Sequence, residues 1–105
     1  MKVVITEFAK LQLKEIYGYY ATEASESVAL KIVNKILDEI ARIERHPNIG
    51  TQETYLNSLH LHHKYLVIDN YKIIFRKEAE TLFITDIFDC RQDPKKMEGR
   101  NKKDT

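Results

Sequence analysis

An α+β fold is what this 105-residue sequence predicts, and three observations carry it. Two stretches with helical spacing follow one another directly before Pro47. After that proline the period changes, and three runs rich in Ile, Phe, Tyr and Leu alternate with short turns. A brief β-branched run opens the chain. The predicted order is β-α-α-β-β-β, with a helical hairpin packed on one face of a mainly antiparallel four-stranded sheet.

Residues 2 to 6 (KVVIT) form the opening strand, β-branched and apolar. Thr6 can cap a helix, with Glu7 placed at the positive end of its dipole. The spacing predicts a helix over residues 7–21, with Phe8, Leu13, Ile16, Tyr17 and Tyr20 turned inward. Gly18 weakens the last turn of that helix, because glycine costs about 1 kcal/mol in a helix interior relative to alanine. Ser25 caps the second helix, predicted over 26–46. Val28, Ile32, Val33, Ile36, Leu37, Ile40 and Ile43 recur there at helical spacing, Arg42, Arg45 and His46 crowd the last turn, and Pro47 stops it. The apolar arc is wider than one packed face requires, so this helix should touch both the sheet and its neighbouring helix. Residues 48–58 read as a polar connection. Strands are predicted over 59–68, 71–77 and 81–89, with Asp69-Asn70 and Glu78-Ala79-Glu80 as the hairpin turns. A single domain spans 1–97, and 98–105 reads as a polar, disordered tail.

Composition narrows the function classes. Net charge is +1, without the overall basic excess of a strong nucleic-acid binder. A local surplus of three positive charges lies between Arg91 and Thr105. Cys90 is the single cysteine, which removes an internal disulfide framework and suggests a cytoplasmic setting. No run approaches the roughly 18 apolar residues of a membrane span.

"LHLHHKYLV", residues 59–67, holds three of the four histidines. On a strand, His60 and His62 share one face and His63 the other. The reading favoured by the residues is structural, with His63 turned inward beside Leu59 and Leu61 and the other two facing water. Contact with a partner or nucleic acid is the next reading, and acid–base work by His62 or His63 follows it. Zinc is disfavoured, because His-x-His lacks the further ligands of a tetrahedral site, and no cofactor motif is present. Lys72 and Arg76 share a face opposite Tyr71, Ile73 and Phe75. They are either solvent-facing strand residues or phosphate and partner contacts.

The ordered set of a short N-terminal strand, a helical hairpin, "HPNIG", "YKIIFR" and a closing "DIFDCRQDPKKM" resembles the RelE/ParE family of type II toxin–antitoxin toxins. The closing stretch is more similar to the ParE side. The resemblance implies a small toxin causing growth inhibition, belonging to modules linked with plasmid stabilisation, and neutralised by a cognate antitoxin laid along its surface. It also implies one of two targets. ParE-like members act on DNA gyrase by binding, with no catalytic residues of the RelE kind. RelE-like members cleave ribosome-bound mRNA.

On the RelE alternative, His63, Lys72 and Arg91 would be catalytic. Lys72 stands where the nuclease branch places an arginine. Arg91 stands at or one residue from the basic residue ending the last strand. His63 and Tyr65 fall near two lysines of the preceding strand. Met97 is nearest to the family's C-terminal aromatic, which has no equivalent here. Contacts with nucleic acid or antitoxin would fall to His62, Tyr65, Lys72, Arg76 and Arg91, and an acidic antitoxin would meet the last three. A toxin-fold protein that has lost toxicity and a homodimer both stay compatible with the sequence.

Overall fold

The computed structural model describes residues 1–102. β1 (Lys2–Ile5) leads into α1 (Glu7–Glu23) and α2 (Glu26–Arg45). A two-residue strand, β2 (Thr51–Gln52), and a 3-10 helix (Thr54–Leu59) follow. Then come β3 (Lys64–Ile68), β4 (Tyr71–Glu78), β5 (Thr81–Asp89) and a short helix, α3 (Lys96–Asn101). The sheet has five strands in the order β1-β5-β4-β3-β2, all antiparallel except β1, which pairs parallel with β5. The α+β plan is as expected, with one strand more than the four anticipated, because residues 51–52 add an edge to β3.

Both expected caps form. Thr6 Oγ1 accepts from Ala9 N and Ser25 Oγ from Val28 N, each satisfying an orphan donor of the first turn. α1 runs past Gly18 to Glu23, so packing outweighs that residue's poor propensity. Ile36, Ile40 and Ile43 of α2 and Ala9 and Ile16 of α1 close over Tyr71, Ile73, Phe75, Leu82, Ile84 and Ile87 of the sheet. The "HPNIG" loop ends on Gly50 for a steric reason. Its φ is 103°, and an added Cβ would lie 2.8 Å from Phe75 Cζ.

The opposite face of the sheet is also covered. A second cluster of Leu56, Ile74, Phe88 and Met97 seals it, roofed by the 3-10 helix and α3. Two expectations need correction here. The strand predicted over 59–68 begins only at Lys64, because residues 54–59 wind into the 3-10 helix that inserts Leu56. The chain then turns through His60 and His62, both in the left-handed region (φ 56° and 57°). The tail expected to be disordered from 98 instead completes α3, with Met97 and Asn101 buried; residues 103–105 of that stretch lie outside the described residues.

Candidate functional site

The charged side chains of interest stand around this second, outer face. Strand alternation puts Lys72, Ile74 and Arg76 there, as expected, but the face is not open to water. Ile74 is part of the outer cluster, and Lys72 and Arg76 are held at its margins. Lys72 Nζ donates to Glu53 Oε2 at 2.7 Å, and the ammonium lies 4.1 Å from the Tyr65 ring centroid. Glu53 is buried and caps the 3-10 helix by accepting from Tyr55 N. Its backbone N donates to His63 O at 2.8 Å, which ties the start of that helix to the histidine loop.

His63 is 2% exposed, and among the described residues neither ring nitrogen has a hydrogen-bond partner. Burial, reinforced by the nearby Arg76 guanidinium, holds its pKa down at about 4. The ring is therefore neutral at physiological pH, while His60 and His62 are exposed. That distribution matches the structural reading of the histidine cluster. Its cause is different, because a loop with two left-handed residues makes it and not strand alternation.

Arg76 is nearly buried, donates to Glu78 Oε2 at 2.8 Å and lies 4.7 Å over the Phe83 ring. Arg91 sits at another place altogether. It grips Asp89 through Nε and Nη2 at 3.0 and 2.8 Å, and this hydrogen bonding holds the Asp89 carboxyl below its ordinary range. Arg91 and Asp89 belong to a cleft of about 290 Å³ between α1 and the sheet, together with Gln12, Glu15, Tyr19 and Tyr71. Lys72 and Tyr65 are brought together, and His63 is brought to Arg76. Arg91 joins neither pair. The Cys90 thiol is pushed up by burial, away from the reactive thiolate form. Among the described residues, no three His, Cys, Asp or Glu side chains gather as metal ligands.

A polar lock on the outer face was not anticipated from the sequence. Asp86, fully buried, receives a fork from Arg100 (Nε 2.9 Å, Nη2 2.6 Å) and a third bond from Asn101 Nδ2 at 3.2 Å. Thr85 Oγ1 donates to Asn101 Oδ1 at 2.7 Å. This arrangement depends on a β-bulge: Ile74 pairs with Asp86 while Phe75 pairs with Ile84, which leaves Thr85 as the extra residue. The only sequence signal was the polar pair Thr85-Asp86 inside an apolar strand.

One five-stranded sheet, with a helical hairpin on its inner face and the 3-10 helix and α3 over its outer face, is the scaffold that carries these groups. A chain of the structure entitled "Chromosomal ParDE TA system from P. aeruginosa" superposes with a TM-score of 0.74, at 20% identity, over 85% of this chain and 95% of that one. The family profile described as "ParE toxin of type II toxin-antitoxin system, parDE" matches residues 3–94. The chain belongs to that family and is the toxin component of a type II toxin–antitoxin module, whose other member is an antitoxin. No curated protein matches the sequence. Among the described residues no helix is long and apolar enough to cross a membrane.

Proposed function

We propose that the chain arrests growth in the cytoplasm by binding DNA gyrase, on the ParE pattern, and not by cutting ribosome-bound mRNA. The observation that carries this reading is the dispersal of the three candidate catalytic groups. Metal-free RNA cleavage needs a base, an acid and positive charge converging on one phosphate. His63 is sealed from solvent and neutral, Lys72 is committed to Glu53, and Arg91 is forked onto Asp89 beside α1. Binding needs only a rigid surface, and the doubly packed sheet supplies one. A cognate antitoxin would neutralise it by covering that surface. The α1 cleft offers exposed Tyr19 and the Arg91–Asp89 pair as contacts, and tyrosine and arginine are enriched at interface centres.

The test is induced expression in a bacterial host, with and without the neighbouring open reading frame, following mRNA integrity and DNA supercoiling together. Growth arrest with intact mRNA and disturbed supercoiling is the expected result. Codon-linked mRNA cuts that disappear in Lys72→Ala or Arg91→Ala would overturn the binding mechanism in favour of ribonuclease action. Absence of arrest in hosts that carry gyrase would mark a fold that has lost its toxicity.

A further inference from the structure

The cations expected to meet an acidic partner, Lys72, Arg76 and Arg91, each hold a carboxylate of this chain. Among the described residues Lys64 and Lys77 have no internal carboxylate, and they gather beside Arg76. α2 stops at Arg45, and the loop that follows it reaches β3 at Lys64. Lys64 and Lys77 lie there on the helix-facing side of the sheet, paired across the ladders with Phe75 and Leu82. Together with His62, Arg76, Pro47 and Asn48 they line a concavity of about 170 Å³. An adjoining cleft of about 300 Å³ shares His62, Arg76 and Lys77 and adds His60, Leu61 and Glu78, the carboxylate that Arg76 holds. Among the described residues no carboxylate pairs with Lys64 or Lys77; the Lys64 ammonium donates only to Asn48 O, at 3.4 Å. The two exposed histidines are held outward by left-handed backbone, which non-glycine residues adopt only at a conformational cost and which often marks a functional loop.

We infer that this basic end of the sheet receives an acidic segment of a protein partner, its carboxylates seated between Lys64 and Lys77 and against His62. The inference rests on the toxin reading only in taking that partner to be the antitoxin. A peptide fits better than nucleic acid. The concavity has the size of single side chains and is not a backbone-tracking groove. The Phe75 ring below it is buried, so no aromatic face is offered for base stacking. The chain also lacks the overall basic excess of a nucleic-acid binder.

The experiment is an NMR titration of the full chain with a poly-glutamate peptide and, separately, with a DNA oligonucleotide. Amide shifts centred on His62, Lys64 and Lys77 are expected with the peptide, and Lys64→Glu/Lys77→Glu should weaken binding about tenfold, the size two partly exposed charge contacts give. Lys77→Glu alone, at an exposed side chain, serves if the double variant melts. Shifts centred on Lys72 or Arg91, unchanged affinity in the variants, or preferential binding of DNA would each overturn the assignment. Growth arrest by the unaltered chain is scored in parallel. Its failure would reject the toxin reading while leaving the peptide map intact, and the reverse combination would reject the docking site alone.

Discussion

The two faces of the sheet are packed to similar completeness by different means. On the inner face, residues from two long helices meet alternate residues of β4 and β5, and nearly everything in contact is aliphatic or aromatic. On the outer face four apolar residues are buried, and polar interlocks frame them: Asp86 with Arg100 and Asn101 on one side, Glu53 with Lys72 on the other. The inner layer is held by area, which tolerates small errors. The outer layer is held by a few groups that must all be present, since a buried carboxylate without its partner is costly.

Adjacent residues of β4 give the sharpest test. Ile73 points inward and Ile74 outward, and both are fully buried. Ile73→Ala and Ile74→Ala should each cost about 4 kcal/mol, as truncation of a buried aliphatic does where the site cannot collapse. Urea unfolding monitored by circular dichroism measures both. A loss at Ile74 under about 1 kcal/mol, well below the usual range for such a truncation, would mean that the outer roof opens in solution and that the faces are not equivalent.

Arg100→Ala should cost about 3 kcal/mol, by leaving Asp86 buried without its cation. Arg100→Ala combined with Asp86→Leu should recover much of that loss, because an apolar replacement removes the stranded charge. If the double variant is no better than the single one, the lock acts through Asn101 and Thr85 and not through the ion pair.

These two faces also explain what could be read from sequence. α2, β4 and β5 announce themselves by apolar runs with helical or strand spacing, and α1 by its cap and a less regular set of inward residues. Caps at Thr6 and Ser25 follow from residue type alone. The outer roof has no period. Residues 54–59 form a 3-10 helix around one buried leucine, and α3 contributes one methionine to the core, so both resembled polar loop. Asp86 and Arg100 are fourteen residues apart, and nothing local shows that one will grip the other. Candidate residues were legible by type, as in His63, Lys72, Arg76 and Arg91. The pairing of Lys72 was not, because Glu53 lies nineteen residues away and had no reason to be chosen over other carboxylates until the histidine loop set its position, whereas Glu78 and Asp89 stand two residues from Arg76 and Arg91.

His63 makes the outer side acid-sensitive. Its folded pKa of about 4 lies below the ordinary value of 6.5, so between those values the unfolded chain binds a proton that the folded chain refuses. Stability therefore falls as pH drops through about 6.5, and the loss is complete near 4, reaching at most about 3 kcal/mol. Unfolding titrations across that window should show this fall, and His63→Phe should flatten it. An unchanged pH slope in the variant would place the acid sensitivity in other groups.

Gly18 gives the smallest effect and probes the inner layer alone. It lies in the interior of α1, exposed, with nothing within 4 Å of where a Cβ would stand. Nothing in the chain itself requires glycine there, since no close approach or left-handed backbone is involved. Gly18→Ala should therefore raise stability by about 0.8 kcal/mol, through the lower entropy of the unfolded chain and better helix propensity. That gain should add to the cost of Arg100→Ala without interaction, because Arg100 meets α1 at Phe8, 5.1 Å from its ring centroid and near the other end of the helix from Gly18. A stabilised Gly18→Ala protein that still arrests growth would leave the glycine neutral. One that is stabilised but no longer bound by its antitoxin would show that a partner backbone passes close over α1, and it would move the solvent-facing side of the hairpin into the interface.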